Sequence, residues 1–226
     1  MFDRRNLAVA LAPSAPARSA DPRAGMLRAL VRTIALRGYD RTTIDRVLLA
    51  AEVPAAVFDE HFEDKQDCLL VALDELIAEV ERAISTRIDE SACWSERVLT
   101  GLEALLAAFA ADPDGARVAL VECLSAGEEA IARVRAAIAK AVPVLEEGRH
   151  GEGGPETSAP DTAHLPAQTS EAVVGGIASI LHRRVLEGRT SELPGLLPDL
   201  LYFALMPYLG HERALTVSAT ASARAC

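Results

Sequence analysis

The sequence predicts an all-α protein. Apolar residues recur at helical spacing along most of its 226 residues, for example at Leu27, Leu30 and Ile34, and no stretch shows the alternation of a half-buried strand. Half of the residues are apolar but only 4% are aromatic, a composition typical of a helical protein rich in Ala and Leu. We therefore expect a three-helix head, a long fourth helix and a helical body.

The first helix is predicted to begin at Asp21-Pro22 and to end at Gly38. An aspartate can accept a backbone N–H at the N-cap, and proline suits the first helical position. Glycine readily adopts the left-handed conformation that ends many helices. Residues 1–20 are expected to form a flexible arm, because their apolar run is too short for a signal peptide.

Residues 42–62 are predicted to hold two short helices joined by a tight connection. Thr42 or Thr43 is expected to cap the first helix with its hydroxyl, and Pro54 to open the second. Two short helices joined by about three residues form a helix-turn-helix, in which the second helix enters a DNA major groove. We therefore predict a DNA-binding domain over residues 21–65.

The body is predicted to begin with a long fourth helix that Asp64 caps and that runs for about 25 residues. Further helices are expected around residues 99–109, from Asp112-Pro113, over residues 118–124 and over residues 131–145, the last bent at Pro143. Residues 66–210 are thus predicted to form one helical domain.

Residues 148–168 are rich in Gly, Pro, Ser and Thr and are predicted to form a surface loop. Two further helices are expected over residues 170–187 and 196–209, and residues 211–226 are expected to be a flexible tail. Both helices are apolar well beyond one stripe, which favours burial against a second copy of the chain. The alternative is a helical hairpin packed on its own subunit.

Charge is distributed unevenly along the chain. The net charge is −10, yet residues 1–50 contain nine arginines and four acidic residues. A basic head on an acidic body fits a protein that touches DNA at one end. Solvated helix faces are the alternative explanation.

Enzymatic motifs are not found. The sequence has no G-x-S-x-G, P-loop or H-E-x-x-H pattern, so no catalytic residue and no cofactor is predicted. Cys68, Cys93, Cys123 and Cys226 lack the spacing of a metal site. We expect reduced thiols in a cytoplasmic protein that does not cross a membrane, with redox sensing as the alternative.

Twelve residues stand in a characteristic order, without a gap, between residues 38 and 69: Gly38, Tyr39, Thr42, Thr43, Val47, Leu48, Ala51, Val53, His61, Phe62, Lys65 and Leu69. This pattern resembles that of the TetR/AcrR-type transcriptional regulators. The chain departs from it in two places. The usual Gly-Val-Ser turn reads Glu52-Val53-Pro54, and Asp59 replaces the usual tyrosine.

The resemblance implies a ligand-responsive regulator, expected to be a repressor, that binds operator DNA as a homodimer and is released by a small molecule. It also implies that residues 66–210 form a ligand-binding and dimerisation domain, in which the last two helices of each subunit form the dimer interface. The alternative is a dimer of the same fold that has lost DNA binding and acts as a ligand-binding or protein-interaction module.

The recognition helix offers the groove no Arg, Lys, Asn or Gln, the side chains that usually read bases. Apolar contacts and His61 remain, while Asp59 and Glu60 would repel phosphates, so we expect weak, salt-dependent binding. The predicted DNA-binding residues are Arg41, Thr42, Thr43, Arg46, Ala55, Ala56, Val57, His61 and Lys65.

Candidate body residues fall into two sets. The predicted effector-binding residues are aromatic, acidic or sulfur-bearing: Trp94, Phe109, Glu122 and Cys123. Glu122 stands out as an acid within an apolar run, where a buried carboxylate needs a partner; the alternative is an acid on the helix surface. The predicted dimer interface is apolar: Val173, Val174, Ile177, Ile180, Leu181, Leu197, Leu200, Leu201, Phe203 and Leu205.

Overall fold

Every regular element between residues 21–150 and 165–224 is helical; these are the ranges that the structure, a computed structural model, describes. The α-helices are α1 Pro22–Arg37, α2 Ile44–Ala51, α3 Ala55–Asp59, α4 Lys65–Ser85, α5 Trp94–Ala111, α6 Pro113–Leu120, α7 Glu128–Ala139, α8 Ala141–Glu146, α9 Thr169–Leu186, α10 Leu197–Leu209 and α11 His211–Arg224. Within the described ranges, three 3-10 helices join them: Glu122–Ser125, Glu147–His150 and Thr190–Leu196.

Aspartate caps begin three of these helices where the sequence predicts them. The carboxylate of Asp21 accepts the N–H of Arg23 at 2.9 Å, that of Asp64 accepts an N–H at 2.8 Å, and that of Asp112 accepts one at 2.9 Å. Each bond satisfies an N–H that the first turn leaves without a helical acceptor. Gly38 ends α1 at φ 86°.

Helix α2 begins after Thr43, one of the two predicted cap residues, but without the predicted hydroxyl bond. Thr43 is the N-cap but its hydroxyl makes no capping hydrogen bond. The hydroxyl of Thr42 instead donates to the carbonyl of Gly38 at 2.9 Å. Because this bond points back to α1, it fixes the loop between α1 and α2 rather than the start of α2.

Two hydrophobic clusters fill the molecule. The head cluster joins α1–α4 to α6 and α7, and its fully buried members include Met26, Ile34, Leu73 and Val118. The body cluster joins α5 to α9, α10 and α11. Helix α6 lies between them, since Ala116 belongs to the body cluster and Val118 to the head cluster.

Several predicted boundaries in the body need correction. Instead of one helix bent at Pro143, two helices, α7 and α8, meet at Lys140. The predicted tail is helical over α11, where Ala214 and Ala221 are completely buried against the body. Residues 148–150 of the predicted loop lie in a 3-10 helix, while residues 1–20, 151–164 and 225–226 lie outside the described part of the chain.

A polar network closes the body around α8 and α9. The hydroxyl of Ser170 lies within hydrogen-bonding reach of both Glu146 and the buried hydroxyl of Tyr208. Arg149 pairs with Glu146 and donates to the carbonyls of Leu165 and Pro166. These bonds lower the pKa of Glu146, with the Ser170 contact as the largest cause.

The helices in the described residues include none that is long and apolar enough to span a membrane.

Candidate DNA-binding surface and effector groove

The recognition helix α3 is only five residues long, shorter than the predicted range of residues 54–62. It is anchored by Phe58, which is 2% exposed and packs on Phe62 with ring centres 5.3 Å apart. Ala55 and Ala56 are exposed, as is His61 in the turn that follows. The surface that α3 would present to a DNA groove is therefore small and apolar, and the buried rings of Phe58 and Phe62 support it.

Acidic side chains surround this surface. Asp59 and Glu60 are exposed directly beside Ala55 and Ala56, and Glu63 and Asp64 follow before α4. Phosphates near these carboxylates would be repelled at low salt. Val57 is only partly exposed because it packs against the head cluster.

The predicted phosphate contacts divide into exposed and covered groups. Arg41, Thr43 and Arg46 are exposed, and Arg46 donates to the carbonyl of Arg41 at 2.6 Å. Thr42 is 2% exposed, and its hydroxyl donates to the carbonyl of Gly38. The Thr42 hydroxyl therefore faces the head, and its DNA contact stays a prediction.

Lys65 is engaged within the head. Its ammonium donates to the carbonyls of Tyr39 and Thr42 at 3.0 and 3.1 Å and lies 3.9 Å from the centre of the Tyr39 ring. Burial raises the pKa of the Tyr39 hydroxyl, helped by the charges of Asp64 and Asp40. Lys65 thus braces the α1–α2 loop, and any phosphate contact has to share its charge with these two carbonyls.

The turn between α2 and α3 contains one strained residue. Glu52 adopts φ 56° and ψ 40°, the left-handed conformation, and is the one non-glycine residue with positive φ in the described part of the chain. A side chain in this conformation costs about 1–2 kcal/mol. The backbone thus has the conformation of a glycine turn although residue 52 is a glutamate.

A groove of about 270 Å³ lies between the end of α6, α7 and α9. Its walls are mainly apolar, and Arg135 and His182 supply its nitrogen-bearing side chains. Its apolar lining consists of Leu120, Cys123, Leu124, Ile131, Val134, Ile138, Gly175 and Ala178. This arrangement suits a ligand with an apolar part and an anionic group.

Cys123 is the one predicted effector-binding residue among the groove's lining. Glu122, its neighbour, turns away and accepts the N–H of Tyr39 in the head at 3.1 Å. Trp94 is 6% exposed and donates its indole N–H to the carbonyl of Val144, and Phe109 packs against the body cluster. Trp94, Phe109 and Glu122 do not line this groove, and their effector-binding roles stay predictions.

Sequence reasoning missed Arg135 and His182, because they belong to helices whose pairing the sequence does not show. Their local signal was a charged or polar side chain at the edge of an apolar helix face, which many solvated residues share.

The structure shows where the predicted dimer-interface residues lie, and the interface itself stays a prediction. Seven of its ten residues are buried in the chain's own body cluster: Val173, Val174, Leu181, Leu197, Leu200, Leu201 and Leu205. A side chain covered by its own chain has no surface left for a partner. Ile177 and Ile180 are partly buried against the same cluster, whereas Phe203 is 40% exposed.

The outward face of α9 and α10 is nevertheless apolar. Phe203 lies over Gly176, where an added Cβ would come within 3.0 Å of the ring, and Met206 is 39% exposed one turn later. Gly176, Phe203 and Met206 are called the α9–α10 face below.

The buried cysteines are poor candidates for redox sensing. Burial raises the pKa of the Cys68 thiol to about 12 and that of Cys123 to about 11, and a thiol reacts through its thiolate. Cys93 is exposed. No group of three or more potential metal ligands lies together in the described ranges.

The head geometry defines a helix-turn-helix protein: a short exposed helix, braced by a second short helix, stands at one end of an all-helical body. Residues 26–72 match the sequence model of the family described as "Bacterial regulatory proteins, tetR family". They form a TetR-family helix-turn-helix domain, and the chain has the fold of TetR-family transcriptional regulators. Proteins of this family are DNA-binding regulators rather than enzymes.

Solved structures match most of the chain. The fatty acid degradation regulator FadR from Bacillus halodurans superposes with a TM-score of 0.67 at 18% identity, covering 82% of this chain and 94% of that one. FadR from Bacillus subtilis in complex with stearoyl-CoA gives 0.65 at 19%, covering 83% and 98%. The regulator TylP from Streptomyces fradiae gives 0.60 at 17%, covering 90% and 99%. No curated protein matches the chain significantly in sequence.

Proposed function

We propose that this chain is a ligand-responsive transcriptional repressor that binds operator DNA as a homodimer and is released by a small molecule. The observation that carries the proposal is the shared head cluster: the helices that present α3 pack directly on α6 and α7, which line the groove. A ligand between α6, α7 and α9 therefore acts on the same packed core that holds the DNA-binding surface.

The DNA-binding part of the proposal rests on the exposed arginines beside an apolar α3. Arg41 and Arg46 can neutralise phosphates, while Ala55 and Ala56 can contact thymine methyl groups. Because few base contacts are available, we expect weak binding that depends strongly on salt and on DNA shape.

A mobility-shift titration against the DNA upstream of the protein's own coding sequence tests the proposed DNA binding. Asp59→Tyr, compared with the parent at two salt concentrations, should bind more tightly, by roughly 1 kcal/mol, since it removes a charge that faces phosphates. Tight, sequence-selective binding by the parent would contradict the weak-binding interpretation of α3.

The dimer arm rests on the α9–α10 face, which leaves Phe203 and Met206 exposed on one chain. Light scattering at micromolar concentration should give twice the 24.0 kDa chain mass, as a two-fold operator requires. Phe203→Glu should yield a folded monomer, because burying a carboxylate in an apolar interface is unfavourable. Leu36→Glu, at a site 78% exposed on α1, is the matched control and should stay dimeric; a dimeric Phe203→Glu variant would exclude this face.

The effector arm rests on the groove lining. Apolar walls with Arg135 among the lining residues favour an amphipathic anion, and the FadR structure from Bacillus subtilis holds stearoyl-CoA, a ligand of that chemistry. Dodecanoate should release the protein from DNA more effectively than dodecanol does. In the Arg135→Gln variant, the two compounds should differ less in the amount of DNA that they release. Equal release by both compounds would contradict a role for the charge.

A second function is favoured by the acidic surroundings of α3. Asp59, Glu60 and Glu63 are exposed around a five-residue recognition helix, so the fold could serve as a ligand-binding or protein-interaction module without operator binding. Absence of binding by both the parent and Asp59→Tyr would support this alternative.

A further inference from the structure

The end of α6 is held between the groove and the head. After Leu120 the chain tightens into the 3-10 helix Glu122–Ser125, a change that often marks a hinge within a helical run. Leu120, Cys123 and Leu124 line the groove. Glu122 lies between them in sequence but does not line it.

Glu122 reaches the head. Its Oε2 accepts the backbone N–H of Tyr39 at 3.1 Å, and its Oε1 lies 3.2 Å from a guanidinium nitrogen of Arg117. The side chain is 11% exposed, and a Cβ added at Gly38 would come within 3.3 Å of the same Oε2. The carboxylate therefore fits closely against the loop that joins α1 to α2.

The other side of the same segment is held by α9. The ring nitrogen Nδ1 of His182 lies 2.6 Å from the carbonyl oxygen of Leu120, and His182 also lines the groove. The segment is thus held on two sides: His182 of α9 bonds Leu120, and two residues later Glu122 bonds the Tyr39 N–H of the α1–α2 loop. Lys65 holds that loop from α4, and Arg41 and Thr43 lie at its end, beside α2.

We propose that Glu122 transmits occupancy of the groove to the helix-turn-helix head, as a positioning residue that sets the α1–α2 loop. A group that fills the groove displaces the side chains of Cys123 and Leu124, and Glu122, which lies on the same turn, moves away from the Tyr39 N–H. Because a filled groove favours the arrangement in which this bond is broken, the population shifts towards a loosened loop. The inference rests on the proposed effector function.

The test fills the groove without needing the natural effector. Gly175 lines the groove, and a Cβ added there meets no atom within 4 Å, so Gly175→Phe places a ring in it. Gly195→Phe adds the same ring in open space on the 3-10 helix Thr190–Leu196 and is the matched control. The readout is hydrogen exchange of the Tyr39 amide by NMR, with the amide of Leu106 in the body cluster as a reference for global unfolding.

Gly175→Phe should speed exchange at Tyr39 about tenfold while Leu106 and the Gly195→Phe control stay unchanged, since a hydrogen bond to a charged acceptor contributes at least that factor. Glu122→Ala should reach the same rate alone, and adding Gly175→Phe to it should have no further effect. Glu122→Gln keeps an acceptor oxygen and should preserve protection. Equal exchange at Tyr39 in Gly175→Phe and the parent would overturn the proposal, as would additive effects in the double variant.

Mobility-shift titrations of the same variants separate this inference from the proposed function. If the parent binds upstream DNA, Gly175→Phe and Glu122→Ala should both weaken binding, and Glu122→Gln should not. Unchanged DNA affinity of Glu122→Ala would overturn transmission through this residue. If the parent binds no DNA, the regulator function fails, and the exchange experiment still decides whether Glu122 couples the groove to the head.

Discussion

The head cluster and the body cluster differ in how they use the chain. The body cluster is built from α5 and the C-terminal helices α9–α11. The head cluster combines the first four helices with α6 and α7, which follow α5 in the sequence. Both clusters therefore join segments that are distant in sequence, and the head takes α6 and α7 from beyond α5, a helix of the body cluster.

This difference bears on the predicted domain boundary, which stays a prediction. A division between residues 65 and 66 passes through the head cluster, because α4 contributes Cys68, Leu69 and Leu73 to it and α6 contributes Val118. The helix-turn-helix thus shares its hydrophobic core with part of the body instead of being joined to it by a flexible linker alone. Packed cores transmit displacement better than flexible connections do.

The largest expected effect is on the head cluster itself. Leu30→Ala, at a side chain 1% exposed on α1, should lower the free energy of unfolding by about 2–5 kcal/mol. Thermal unfolding followed by circular dichroism should remain a single transition, because α6 and α7 share the core. Leu49→Ala, at a side chain 80% exposed, is the control and should change stability by about 0.5 kcal/mol or less. A separate early transition of the head would contradict the shared core.

The body cluster should respond to overpacking. Gly148 lies against Trp94, and an added Cβ would come within 2.5 Å of the indole ring. Gly148→Ala should therefore cost about 1–3 kcal/mol and shift the fluorescence of Trp94, the one tryptophan of the chain. Gly195→Ala, where the added Cβ meets nothing within 4 Å, should do neither. Unchanged stability of Gly148→Ala would show that the contact relaxes freely.

Lys65 distinguishes structure from DNA contact within the head. Lys65→Met should lower the free energy of unfolding by about 1 kcal/mol, since two carbonyls lose a charged donor at a half-buried site. Arg41→Ala, at an exposed site, should leave stability unchanged but reduce the salt slope of DNA binding by about 0.9. The measurements are denaturant unfolding and binding at several salt concentrations. Full stability of Lys65→Met with a reduced slope would assign Lys65 to phosphate contact alone.

The smallest expected effect is at the turn before α3. Glu52→Gly should raise the free energy of unfolding by about 0.5–1 kcal/mol, because relief of the left-handed strain exceeds the entropy cost of glycine. Denaturant unfolding measures the change, and Glu52→Ala should show no such gain since alanine keeps the strain. A loss of stability in Glu52→Gly would mean that the Glu52 side chain contributes more than its backbone strain costs.

Local chemistry determined the features that the sequence predicted correctly. Asp21, Asp64 and Asp112 mark helix starts because a cap acts within three residues of its own position. Gly38 marks a helix end for the same reason, and the gapless pattern over residues 38–69 places the helix-turn-helix.

Tertiary packing decided the rest. Glu122 lies 83 residues from the Tyr39 N–H that it binds, and no spacing in the sequence links the two. The apolar residues of α9 and α10 look alike in sequence, yet the fold buries Leu201 within the chain and leaves Phe203 exposed. Hydrophobicity fixes that a side chain is buried but not which surface buries it, because the hydrophobic effect is non-directional and only the packed arrangement of helices selects the partner.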